Sequence, residues 1–449
     1  MTPQVTRYRF GPRERGKTLA GWRAGQIITV ALGLVIGVLV LRVEPTPLGV
    51  AVALVVLLLC GGLAIWPVAG RTGDEWIPVV VRWGLRQTAP GGGRQLDCLR
   101  GLRLLDVGRA HVGVVHDTRA RTLTAAMAVR GQSFALLGPE EQDRRVGGWS
   151  SVLAALAREG SPVRRLQWTA TCFPDQGHGA RDYLAERAVA DVSSAARSSY
   201  ESLLDDLDAA ARAHDVVLAV SVRAGKQMEQ SCLALERELA SVRRLLGDAD
   251  VVVEEVLSSD ALAKILLRTY EPRAEPVSVQ DPWPMALDER WDRVRVDAMW
   301  HATFWVAEWP RTEVRSDFLA PLLLGPTRAA LSLVLEPLGP DEAVRKVEAS
   351  RTADLADTEL RRRGGFVSTA RHARESEVLA RREAELAEGH ASFRYSGFVT
   401  VSAAHEDELA AACDSIQHAA GQCRLSLRRL YGDQAMAYTC TLPLARGLS

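Results

Sequence analysis

Two long apolar runs near the start of the chain, residues 25–41 and 48–69, are separated only by Arg42-Val-Glu-Pro-Thr-Pro47. Their 17 and 22 residues, at about 1.5 Å of rise each in a helix, match a hydrocarbon slab about 30 Å thick. Eleven Ile, Val and Leu residues fall between Ile27 and Leu41, each worth about −0.3 to −0.6 kcal/mol at a helix centre in the bilayer, and they outweigh the glycines and the lone Thr29. A buried helix of a soluble domain is apolar along one stripe, whereas these runs are apolar all round. The pattern predicts a transmembrane helical hairpin with Pro45 and Pro47 in its turn. Gly33 and Gly37 form a G-x-x-x-G spacing that allows close helix approach.

The flanks orient the hairpin. Arg7, Arg9, Arg13, Arg15, Lys17 and Arg23 precede it and Arg71, Arg82 and Arg86 follow, while the turn holds Arg42 beside Glu44. Basic residues near short spans stay in the cytoplasm, so both termini are expected inside, in a multi-pass protein of the cell membrane. Trp22, Arg23, Trp66, Arg71, Trp76 and Arg82 are the candidate membrane-interface anchors, with residues 76–86 (WIPVVVRWGLR) expected along the inner surface. The competing reading of these tryptophans is ordinary core packing. A cleaved signal peptide has a short charged leader and ends at small residues; here the leader is long and the first run ends Val40-Leu41-Arg42.

Beyond the hairpin some 360 residues remain, enough for two ordinary domains. Acidic and basic residues balance at 55 each, and no aromatic-studded basic stripe appears, so direct nucleic-acid binding is not expected. Nearly all basic residues are arginine, the exceptions being Lys17, Lys226, Lys264 and Lys346, in an Ala-, Val- and Leu-rich chain. That composition fits a GC-rich, actinobacterial coding bias. Seven dispersed cysteines without a C-x-x-C pair fit reduced thiols in the cytoplasm. His111 and His116 are five apart, neither a helical nor a zinc-motif spacing, and no metal or cofactor is expected.

Periodicity divides the chain into a basic leader (1–24), the hairpin (25–69), a juxtamembrane segment with a Gly-rich linker (70–95) and two cytoplasmic α+β domains (96–275 and 285–449), parted where four prolines fall within 272–284. In the first domain, strands are expected at 123–129, 133–137, 164–172, 216–222 and 250–256, with helices at 143–158, 180–214 and 228–246. In the second, strands at 300–309, 329–335, 392–402 and 424–430 alternate with helices at 316–324, 341–387 (interrupted at Gly364-Gly365) and 406–419, and a short helix closes the chain. Two ferredoxin-like sandwiches on a membrane anchor are the expected fold.

Gly11-Pro-Arg-Glu-Arg-Gly-Lys-Thr18 spells G-x-x-x-x-G-K-[ST]. A phosphate loop follows a buried strand and opens a helix packed on its sheet. Here Thr6-Arg-Tyr-Arg-Phe10 is too polar for such a strand, and the next helix enters the membrane. Val251-Val-Val-Glu-Glu255 lacks the aspartate of a magnesium-binding strand. The loop therefore reads as positive-inside anchoring, a nucleotide-binding enzyme is a remote alternative, and no catalytic residues are assigned. No Ser-His-Asp order, H-E-x-x-H or G-x-G-x-x-G stands out elsewhere.

Gly70-Arg-Thr-Gly-Asp-Glu-Trp76, with Pro78, Arg82 and the preceding hairpin, resembles the PrgI-like membrane proteins of Gram-positive conjugation, in particular a long actinobacterial branch. From Trp300 onward the chain resembles the non-catalytic N-terminal region of the VirB-type traffic ATPases of type IV secretion. Trp309-Pro310, Phe318-Leu319, residues 348–357 and 393–401, Glu408-Leu409, Leu430-Tyr-Gly-Asp-Gln434 and Leu442-Pro-Leu444 carry that likeness. In those ATPases the Leu-Pro segment leads into a motor domain, whereas this sequence ends at Ser449. The resemblance implies an anchor and docking subunit for a separately encoded secretion or conjugation motor ATPase, in contact with membrane lipid and other channel subunits. Self-association into a homo-oligomer stays open. A membrane component of a type VII secretion machine is the alternative.

Overall fold

The structure, a computed structural model, describes residues 24–66, 71–88, 96–108, 111–131, 134, 137–174, 187, 193–210, 212–271, 282–315, 317–363, 377, 380–381, 383–384 and 391–447. In chain order its elements are α1 (Ala24–Val43), α2 (Pro47–Ile65), α3 (Gly73–Thr88), β1 (Leu102–Val107), β2 (Val112–Asp117), β3 (Thr122–Gly131), α4 (Pro139–Leu156), β4 (Val163–Pro174), α5 (Ser194–Ala210), β5 (Arg212–Arg223), α6 (Met228–Asp248) and β6 (Val251–Val256). They continue with α7 (Ser259–Tyr270), β7 (Leu287–Glu289), β8 (Val294–Val296), β9 (Met299–Glu308), α8 (Ala320–Leu323), β10 (Ala329–Leu338), α9 (Pro340–Arg363), β11 (Ser392–Ala403), α10 (Glu406–Gln422), β12 (Ser426–Arg429) and α11 (Gln434–Thr439).

The twelve described strands form one sheet in the order β1-β2-β3-β5-β4-β10-β11-β9-β8-β7, with β6 also on β3 and β12 also on β9. Every pairing is antiparallel. The order mirrors itself about the β4–β10 seam. The first half contains the path β6-β3-β5-β4 and the second β12-β9-β11-β10, each the outcome of a strand–helix–strand–helix–strand–helix–strand succession. At the seam Ala329 pairs with Cys172 and Leu335 with Leu166, with Leu333 opposite Trp168.

Helices cover one face of both halves. Leu235, Leu239, Val242 and Leu246 make the buried stripe of α6, and with Val152 and Leu156 of α4 they meet Leu123, Ala125, Met127 and Val129 of β3. In the second half Leu409, Cys413, Ile416 and Ala420 of α10 cover Ala302, Phe304, Val399 and Val401. These are the i, i+3 and i+4 spacings of an amphipathic helix over period-two strands. Trp168 packs against both clusters and bridges the seam.

The opposite face is covered by α7, α11 and residues 440–447. Leu262, Leu266 and Tyr270 of α7 share a core with Tyr438, Leu442 and Leu444. Gln167, fully buried at the seam, donates from Nε2 to Ser332 Oγ and to the Cys440 and Leu442 carbonyls, and its Oε1 accepts from the Ala445 N–H at 2.6 Å. Beyond it, Arg446 reaches Asp117 Oδ2 at 3.1 Å from Nε and 2.5 Å from Nη2. This strap ties the end of the second half across the first.

The structure departs from the sequence pattern at several points. Within 133–137, where a strand was expected, Phe134 and Leu137 belong to a turn closed by the Leu137 N–H on the Phe134 carbonyl. The helix expected to reach 214 ends at Ala210, and β5 begins at Arg212. Strands β1, β2, β7 and β8 and helix α7 were not anticipated. The proline stretch 272–281, Gly364-Gly365 and the leader with its 11–18 loop lie outside the described residues.

Candidate membrane-interface site

Two described helices, Gly25–Val43 and Pro47–Ile65, are long and apolar enough to cross a membrane. Their mutual face is built from small residues. A Cβ on Gly33 would stand 2.7 Å from Cys60 Cβ, Gly37 faces Ala53, and Ala53 and Ala64 are buried. The G-x-x-x-G spacing therefore serves packing within the hairpin. Gln26 Nε2 donates to the Ala64 carbonyl at 2.7 Å, which satisfies the one amide side chain of α1. Thr46 caps α2, its Oγ1 accepting from the Gly49 N–H, with Pro47 in the first turn, where its missing donor costs nothing. The large aliphatic residues point outward, among them Leu32, Val38, Leu39, Leu54, Leu58 and Leu59.

Helix α3 meets the open end of this hairpin through its first turn. A Cβ on Gly73 would stand 2.7 Å from the Leu63 carbonyl oxygen, and Gly25 abuts the Asp74 side chain. From there α3 docks on the second half of the body. Trp76 stacks on Trp291 with ring centroids 5.7 Å apart, Trp83 meets the same ring edge-on, and Tyr431 lies 5.6 Å from Trp76. Gly432, at φ +73°, lets the backbone close on this cluster: a Cβ there would come within 2.9 Å of Trp291 Cζ3 and 3.0 Å of Val79 Cγ1.

Ion pairs rim the aromatic cluster. Arg86 reaches Asp433 at 3.1 Å and donates to the Gly432 carbonyl, Arg82 lies 3.8 Å from Asp433, and Arg428 lies 3.6 Å from Glu75. Glu289 accepts from the Ala435 N–H at 2.9 Å with Arg86 4.0 Å away; burial raises its carboxyl above the usual range, against the pull of that N–H and of Arg86. The Arg71 guanidinium sits 5.4 Å from the Trp76 ring and is lowered by burial, with Asp433 acting the other way. These ion pairs join α3 to the second half of the body.

Of the six anchors expected from sequence, Trp22 and Arg23 lie outside the described residues. Trp66 follows α2 with 75% of its surface exposed, beside the open end of the hairpin. Trp76, Arg71 and Arg82 converge on one cluster that faces the body. Trp291, Tyr431, Asp433 and Glu289 complete it and were not singled out as site residues. The signal for them was Tyr431-Gly-Asp433, a turn needing positive φ beside an aromatic ring.

Among the described residues, no three His, Cys, Asp or Glu side chains gather as a metal site. His111 pairs with Asp106 at 3.0 Å on the surface, and none of the seven cysteines forms a disulfide. No protein-family model matches the chain, and no curated protein matches it.

Proposed function

We propose that this chain is a non-catalytic inner-membrane anchor and docking subunit for a separately encoded motor ATPase of conjugation-type (type IV) secretion. In this reading α1 and α2 cross the cytoplasmic membrane with both flanks inside, and residues 96–449 form a cytoplasmic body. The observation that carries the anchor is the outward aliphatic surface of α1 and α2 joined, through α3, to a polar-surfaced body. A spanning pair coupled by packed aromatics holds its cargo at a set position below the bilayer. The docking role rests on the likeness of the second half to the non-catalytic region of traffic ATPases. Its strand order β12-β9-β11-β10, repeated in the first half as β6-β3-β5-β4, supports reading each half as a ferredoxin-like unit.

Reporter fusions after Pro47 and at Ser449 test the topology: the expected result is an outside signal at the turn and an inside signal at the end. Purification of the tagged full chain from native membranes tests the docking role. Co-recovery of a motor ATPase is expected; recovery with type VII components, or with no ATPase after mild crosslinking, contradicts it.

A further inference from the structure

Exposed apolar side chains concentrate on α1, α2 and α3; elsewhere among the described residues they are sparse, as at Val146, Leu233, Val252 and Met285, with Tyr200 and Leu203 one turn apart on α5. On α3, Ile77, Val80, Val81 and Leu85 are each at least half exposed, and Pro78 and Gly84 are exposed beside them. At 3.6 residues per turn these six positions cover an arc of about 160°. Glu75, Trp76, Val79, Arg82, Trp83 and Arg86 occupy the other side, where the body lies. Glu75 and Arg86 are turned toward protein, Arg82 stands at the margin with 58% of its side chain exposed while lying 3.8 Å from Asp433, and the outer arc itself carries no ionisable residue. A helix on the surface of a soluble domain has the reverse arrangement.

The hairpin says what covers this face. Helix α3 starts against Leu63 and Gly25, at the end of the hairpin where α1 begins and α2 finishes. If α1 and α2 fill the hydrocarbon slab, that end is the level of the headgroups, and a helix leaving it with one aliphatic face has the form of an interfacial helix, sunk about 5–10 Å into the monolayer. We propose that the face formed by Ile77, Val80, Val81 and Leu85 binds the lipid monolayer at the cytoplasmic end of the hairpin, clamping α3 between phospholipid and the Trp291–Tyr431–Asp433 ledge. The inference rests on the reading of α1 and α2 as membrane-spanning. It assigns the tryptophans to the protein side and the aliphatic residues to the lipid side, so the body rides directly on the bilayer surface.

Photocrosslinking of the full chain in phosphatidylethanolamine–phosphatidylglycerol vesicles tests it. A benzophenone amino acid is placed singly at Val38 in the hairpin, at Val81 on α3 and at Met285 on the body, all more than half exposed. The expected result is a phospholipid adduct at Val38 and Val81 and none at Met285. A lipid adduct at Val38 without one at Val81, or a Val81 adduct to a second copy of the chain or another protein, overturns the inference and leaves the hairpin in the membrane. An adduct at Met285 equal to that at Val81 also overturns it, because contact is then not specific to α3. Absence of lipid at Val38 overturns the membrane reading itself.

Discussion

His301 is fully buried in β9, its Nδ1 2.8 Å from Ser402 Oγ and its ring 4.4 Å from that of Tyr438. Burial, then the nearby Arg328 charge, depresses its pKa from 6.5 to about 3, so the folded protein holds the neutral imidazole. The unfolded chain therefore binds the extra proton first. The stabilisation is complete above pH ~6.5 and falls by about 1.4 kcal/mol per unit as pH drops toward the folded value. Urea titrations of the detergent-solubilised chain should show this acid slope, and His301→Phe should flatten it between pH ~6 and ~4. Asp117 behaves differently: burial alone would raise its carboxyl, but N–H bonds from Ala120 and Arg119 and the Arg446 guanidinium outweigh that and hold it below the usual carboxylate range. Its contribution is present above the ordinary carboxylate pKa and is lost as pH falls through the depressed one. Asp117→Asn leaves Arg446 partly buried without its counter-charge, at a cost of about 3 kcal/mol at neutral pH, read from the same titrations.

At the scale of elements, the weight falls on α3 and its ledge. Trp291 touches Trp76, Trp83 and Tyr431 at once, so Trp291→Ala should cost ~2 kcal/mol of docking and speed amide exchange in residues 76–86 about thirtyfold, with the exchange of β3 and β9 unchanged. The hairpin was legible in the sequence because all-round apolarity over such lengths has few other solutions. Strands β3, β4, β5, β10 and β11 were legible because they alternate or run apolar between turn residues. Helix α7 carried an equally clear signal, Ser258 capping the Ala261 N–H ahead of Leu262, Leu266 and Tyr270, yet no element was expected between 256 and the proline-marked boundary. Strands β7 and β8 have three residues each, too few for any period. The ledge was illegible for a physical reason: Trp76 and Trp291 are far apart in sequence, and an amphipathic helix does not announce which of its faces meets protein.

Across the whole molecule, one sheet runs through the β4–β10 seam, with Trp168 packed against the clusters of both halves on one face and the strap of residues 440–447 crossing the other. Gln167→Leu keeps the volume but strands the Cys440 and Leu442 carbonyls and the Ala445 N–H. It should cost roughly 2–4 kcal/mol, with amide exchange in the strap rising before that of the sheet. The proposed anchoring depends on the aliphatic hairpin lying in lipid. Alkaline extraction of native membranes followed by sedimentation measures that directly: the full-length chain is predicted to stay in the pellet until detergent is added. Its release into the aqueous supernatant, folded and without detergent, would contradict the account.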